Sequence, residues 1–272
     1  MIWICVTCGV ETADSEVAPE ECAICSDERQ WVPESGQAWT TLAELSRTGT
    51  ATTWFEVEPG LYGITATPTV GIGQQTMVVA TSVGVVVFDP LGFVDDAAVS
   101  RIRELGPVLA VAASHPHMYG CQTAWAEALD APVLLNAHDA EWCRRTERVT
   151  FFDESYDLGP DLTLHRVGGH FRGQTVAEWR SGNGGAGVLL AADAVFPNPD
   201  RRTVSFLRSY PNRLPLSGAV VRRIAAQLDG LHYDRLYNNF GAMVPTDAKA
   251  VVGRSALRHA AWVEGAHDDE TW

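Results

Sequence analysis

Three apolar runs in this chain stop abruptly at a side chain that can carry charge or bind a metal. "VVVFDP" ends on Asp89, "VLAVAASHPHMYG" runs into His115 and His117, and "LLAADAVF" reaches Asp193. A short run of aliphatic residues with such a break reads as a strand. A chain built from strands of this kind collects its functional groups on the loops beyond them. A fourth group follows the same rule, because "LTLHRVGGHFRGQTV" places His170 just past a strand on a glycine-flanked loop.

The surrounding pattern predicts an α/β fold. "TWFEVEPGLYGITAT" and "QTMVVATSVGVVVFDPLG" read as strands, the second pair joined at "TSVG" like a hairpin. "DDAAVSRIREL" has a capping Asp, helical spacing of Val99, Ile102 and Leu105, and Gly106-Pro107 as its stop. "CQTAWAEALD" reads as a helix, "PVLLNA" as a strand and "DAEWCRR" as a helical turn. "TVAEWRS" and "GAGVLLAADAVF" form a second hairpin-like pair, and "SGAVVRRIAAQLDGL" and "DAKAVVGRSALRHAAWVEG" are helices around a strand at "DRLYNNF". The expected architecture is two sheets covered by helices.

The N-terminus obeys a different constraint. Cys5 and Cys8 in "CVTC" and Cys22 and Cys25 in "CAIC" are two knuckles separated by thirteen residues. Each knuckle turns two thiolates to one side, and two knuckles complete a closed tetrahedral site. About 40 residues cannot bury enough apolar surface to fold alone, so a structural zinc ion is expected to provide the missing folding free energy, with iron as the alternative. The domain division expected from this is residues 1–45 for the four-cysteine segment and 46–272 for the larger domain. Cys121 and Cys143 read as small buried hydrophobes, although Cys121 lies beside the histidine pair.

The formal net charge of −14 over 272 residues argues against a phosphate-tracking surface. The chain has no run of about 18 apolar residues and no basic leader before a cleavage site. The expectation is therefore a cytoplasmic protein acting on a small-molecule substrate, with neither nucleic acid nor membrane as partner and with self-association left open.

A strand end followed by His-x-His, a later Gly-Gly-His-x-x-Gly-x-Thr, and then a strand ending in Asp is the motif order of the metallo-β-lactamase superfamily. The chain resembles that superfamily from about Trp54 to its C-terminus. The likeness is closest to bacterial members with a cysteine-knuckle N-terminus followed by a stretch like "DERQWVP…GQAWTTL", and so covers the whole chain. The resemblance implies an αββα sandwich with metal in a cleft at one edge of the sheets. It also implies His115, His117 and His170 as ligands of the first metal, Asp193 as the carboxylate beside them, and Asp89 as a residue holding the histidine loop. The chain departs from the family at Tyr119 and Gly120, which occupy the positions of the motif's Asp and final His, and it lacks the late histidine in "LYNNFGAMV". The resemblance so adjusted implies one cleft ion, zinc or iron.

A zinc ion with an open position makes hydroxide available near neutral pH, so the expected activity is hydrolysis of an ester, lactone, thioester, amide or phosphoester. Asp193 would orient the nucleophile or accept its proton, and Tyr119 would donate to an oxyanion or leaving group. Arg201, Arg202 and Tyr210, in the aperiodic stretch after Asp193, are the expected substrate contacts, whereas Arg208 and Arg213 read as surface. Two alternatives remain open: a mononuclear iron oxygenase and a non-catalytic scaffold of the same fold.

Overall fold

A computed structural model describes residues 1–271. The chain folds as two compact units, one from Met1 to Asp153 and one from Glu154 onward.

The first unit begins with a small ribbon in which β1 (Ile4–Cys5) pairs antiparallel with β2 (Trp39–Thr40). The short helix α1 (Leu42–Arg47) follows, capped by Thr41, whose hydroxyl accepts the Glu44 N–H. Next come β3 (Ala51–Glu58), β4 (Leu61–Thr67), β5 (Thr76–Ala80), β6 (Val85–Phe88), β7 (Val108–Ala112), β8 (Val133–Asn136) and β9 (Val149–Phe152). They form a seven-stranded sheet in chain order, antiparallel from β3 to β6 and parallel from β6 to β9. Parallel neighbours need crossovers, and helices α2 (Asp96–Leu105) and α3 (Gln122–Leu129) provide two of them.

Local chemistry explains where α2 starts and stops. The Asp95 side chain accepts the Ala98 N–H at 2.9 Å and also the Thr52 N–H and hydroxyl at 2.8 and 2.7 Å, so the helix cap is tied to β3. Gly106 ends the helix with a φ of 145°. Ala98, Val99 and Ile102 face a core that also holds Val78, Val87, Val111, Trp125 and Val133. The four knuckle cysteines belong to that same cluster, so the four-cysteine segment packs as part of the first unit.

The second unit carries a six-stranded mixed sheet. Its strands are β10 (Ser155–Asp157), β11 (Leu162–Arg166), β12 (Thr175–Trp179) and β13 (Val188–Leu190), with β18 (Arg235–Tyr237) and β19 (Met243–Val244) completing it. All pairs are antiparallel except β13 with β18. Helices α4 (Gly218–Asp229), capped by Ser217, and α5 (Ala248–Val263) pack over one core with Val176, Leu189 and Leu236. The aperiodic stretch after Asp193 is two small hairpins, β14 (Phe196–Pro197) with β15 (Val204–Ser205) and β16 (Leu207–Ser209) with β17 (Leu214–Pro215). Strands this short carry no periodicity, and Asp200 sets the first turn by accepting the Arg202 and Thr203 N–H groups. The strand expected at "DRLYNNF" ends at Tyr237 because the Asn238 carboxamide oxygen turns the chain, accepting the Phe240 and Ala242 N–H groups. Among the described residues no helix is long and apolar enough to cross a membrane.

Among the described residues Trp125 is the largest fully buried side chain, and its indole N–H donates to the Leu91 carbonyl at 3.1 Å. Trp125→Phe, which keeps most of the volume and removes that donor, is expected to cost about 1–3 kcal/mol. Trp125→Ala is expected to cost about 3–5 kcal/mol. Urea denaturation followed by circular dichroism checks both, and equal midpoints for Trp125→Ala and the parent chain would refute the packing assignment.

Candidate metal-binding groups

The first unit holds His115 and His117 just past β7, both buried, with ring centroids 5.1 Å apart and planes 72° apart. His115 is extended, and the single 3-10 turn Pro116–Met118 follows it, with Pro116 at the position where a missing N–H costs nothing. Asp89, also buried, holds this loop. Its carboxylate accepts the Ser114 N–H at 2.6 Å and the Ser114 hydroxyl at 3.0 Å, and Ser114 Oγ lies 2.9 Å from His115 Nδ1. Because the single Ser114 proton goes to Asp89, Nδ1 of His115 carries a proton and donates it to Oγ. The lone pair then sits on Nε2, the atom a metal would take. Asp89 achieves this with a φ of 58°, a left-handed backbone uncommon for a residue with a side chain and characteristic of functional sites.

The second unit repeats the device with other residues. His170 stands on the loop between β11 and β12, after Gly168 and Gly169, whose φ angles are 62° and 103°. The φ of 103° at Gly169 is one that side chains rarely adopt, and a Cβ there would also press on Ile224 Cδ1 of α4 at 2.6 Å. Nδ1 of His170 donates to the Leu207 carbonyl at 3.2 Å, which again leaves the lone pair on Nε2. That nitrogen is 3.8 Å from Asp193 Oδ2. Asp193 is buried beyond β13 and follows Ala192, whose φ is 45°.

The first unit therefore offers two buried imidazoles, and the second offers a third beside a buried carboxylate, all side chains that could bind a metal. The four cysteines form a second such set. The Cys5–Cys25 and Cys8–Cys22 sulfur pairs are each 3.7 Å apart, and all four thiols are free. A tetrahedron of sulfurs with metal bonds of about 2.3 Å has edges of about 3.8 Å, so the cysteines fit a tetrahedral ion.

Tyr119 is 2% exposed in the core of the first unit, and its hydroxyl donates to the Asp139 carbonyl at 3.2 Å. Burial, reinforced by the Asp139 carboxylate, pushes its phenol well above the ordinary range. Gly120 has a φ of 50°, and a Cβ there would lie 2.1 Å from the Pro90 carbonyl oxygen. Cys121 is fully buried, and burial pushes its thiol up as well. Tyr210 braces Asp193 from behind, its hydroxyl donating to the Asp193 carbonyl at 3.0 Å and its ring 5.7 Å from that of His170. Arg201 and Arg202 are exposed in the β14–β15 turn. Two participants had not been anticipated: Ser114, whose only sequence signal is a hydroxyl directly before the first histidine, and the Leu207 carbonyl, which has none.

No protein-family model matches the chain. It is 40% identical over 260 residues, 94% of its own length and 95% of the other's, to the uncharacterized protein YmaE of Bacillus subtilis (strain 168). Its fold is similar to that of a B3 metallo-β-lactamase with an active-site glutamic acid (16% identity, TM-score 0.54, covering 85% of this chain and 96% of that one). It is also similar to metallo-β-lactamase SMB-1 bound to 2-mercaptoethanesulfonate (17%, 0.52, 78% and 96%). A third is MEM-A1, a subclass B3 metallo-β-lactamase from a soil metagenome library (16%, 0.52, 79% and 97%). The two mixed sheets with their helices are thus the metallo-β-lactamase sandwich that the motif order implied.

Asp89→Ala removes the acceptor of two buried Ser114 donors and is expected to lower the unfolding free energy by about 2–4 kcal/mol. Chemical denaturation measures this, and a loss below about 0.5 kcal/mol would mean that water, rather than Asp89, satisfies Ser114.

Proposed function

The chain belongs to the family of the Bacillus subtilis protein YmaE, and on that premise we propose that it is a metal-dependent hydrolase in which His115, His117 and His170 would hold one metal ion, with Asp193 beside it and one position left open for water. The observation that carries this reading is the pair His170 Nε2 and Asp193 Oδ2. At 3.8 Å the two atoms are too far apart for a direct hydrogen bond and far enough apart to admit an ion between them.

A zinc ion held there supplies a Lewis acid that brings the pKa of a water down to about 7. This chain's residues have three tasks around it. Ser114 and Leu207 hold the His115 and His170 rings in the tautomer that presents Nε2. Tyr210 fixes the backbone of Asp193, and the Asp193 carboxylate orients the attacking water and accepts its proton. The side chains of His115, His117, His170 and Asp193 are all buried, which strengthens each of these interactions. The substrate class is an ester, lactone, thioester, amide or phosphoester. Tyr119, with its hydroxyl on the Asp139 carbonyl, has no step in this scheme.

Elemental analysis is expected to find two metal ions per chain, one lost on replacing the cysteines and the other on His170→Ala. Turnover of an ester, lactam and phosphodiester panel by the zinc-loaded protein is expected to fall more than about 100-fold in His170→Ala. No turnover by the fully loaded parent on any member of the panel would overturn the hydrolase reading. Iron in place of zinc, with substrate-dependent oxygen uptake, would replace it with oxygenase chemistry. Unchanged metal content in His170→Ala would leave a scaffold.

A further inference from the structure

The helix that follows the histidine loop has no cap of its own. Cys121, the residue flanking α3, makes no side-chain hydrogen bond to it, which leaves the Thr123 amide as a donor in the protein interior. Glu11, just past the first cysteine knuckle and 3% exposed, provides the acceptor across 112 residues of chain. Its Oε1 takes the Thr123 N–H at 2.6 Å, and its Oε2 takes Arg145 Nη1 at 2.8 Å. A carboxylate at this helix end also complements the helix dipole. The Glu11 N–H donates to the Gly120 carbonyl at 3.0 Å, so one knuckle residue grips the chain on both sides of Cys121.

The backbone around this tie leaves no slack. A Cβ on Gly71 would lie 2.6 Å from the Cys8 carbonyl oxygen, and one on Gly92 would lie 2.5 Å from that of Gly9. A Cβ on Gly120 would meet the Pro90 and Leu91 oxygens at 2.1 and 2.7 Å. Pro90 to Gly92 is the turn leaving Asp89, and the Cys121 N–H donates to the Leu91 carbonyl at 3.0 Å. Cys8 and Gly9, the turn after Asp89 and the loop after His117 therefore meet backbone to backbone with no side chain between them to absorb a shift.

We propose that the cysteine knuckle is a positioning element for the histidine loop, with Glu11 as the positioning residue. Occupancy of the four-cysteine site by a zinc-type cation fixes Cys8 and Gly9, and Glu11 passes that constraint to Gly120 and α3. The state of the cysteine site thereby sets how tightly His115 and His117 hold their own ion. The inference rests on the reading of those histidines as metal ligands.

Cobalt(II) separates the two sites, because thiolates give intense charge-transfer bands and the histidine set only weak d–d bands. In Glu11→Gln and Glu11→Ala the thiolate bands are expected to persist, while cobalt affinity at the histidines falls by about 10–100-fold, more for Ala than for Gln. In the parent chain, chelating the cysteine-bound metal is expected to raise amide hydrogen exchange across residues 114–123. Histidine-site affinity in Glu11→Ala within twofold of the parent, or exchange in 114–123 indifferent to the cysteine metal, overturns the coupling. A parent chain that binds cobalt through thiolates alone refutes the histidine-ligand reading instead, and the exchange measurement then decides the coupling by itself.

Discussion

A carboxylate out of reach of water organises the first half of this protein. Asp89 is fully buried, and an ionised group in that position persists only when hydrogen bonds replace its hydration. Ser114 provides two of them, and in doing so it fixes the turn that leaves β7 and the ring orientation of His115. The left-handed backbone at Asp89 is strained, and it is retained where a packed sheet and a bonded loop over-determine the conformation. The histidine loop is therefore held by a bonded carboxylate rather than by its own sequence.

The second half reaches the same chemical end by another route. His170 is oriented by a backbone carbonyl, and Asp193 is braced through its own carbonyl by the Tyr210 phenol. Here too a left-handed residue, Ala192, sits at the strand end that delivers the carboxylate. In both units the sheet is the rigid body and the chemistry stands one to five residues beyond a strand end. Helices on the sheet require buried apolar strands, and buried strands push polar groups to their ends.

The N-terminal ribbon shows how a segment too small for its own core is held. Its cysteines sit in the same apolar cluster as the first sheet, and Glu11 and Arg145 add a charged pair in which the Arg145 side chain is 9% exposed. Burial raises the Glu11 pKa while Arg145 and the Thr123 amide oppose the shift, so the pair is tolerated because every oxygen of the carboxylate is used.

Much of this was legible in the linear chain. The cap at Asp95, the stop at Gly106, the Val-rich hairpin and the long amphipathic helices follow from local periodicity and turn chemistry, which neighbouring residues decide. The metal-ligating residue types at strand ends, and the cysteine spacing, are local in the same sense. Tyr119 and Tyr210 were not legible, because a phenol beside a motif reads the same whether it faces a substrate or a backbone carbonyl. Which it faces depends on packing against Asp139 in one case and Asp193 in the other. The amino-acid sequence alone determined the elements, their order and the donor atoms available. Only the tertiary structure decided which donors are buried and in which tautomer, and that Glu11 caps a helix 112 residues away, since those outcomes depend on contacts between segments that no local pattern encodes.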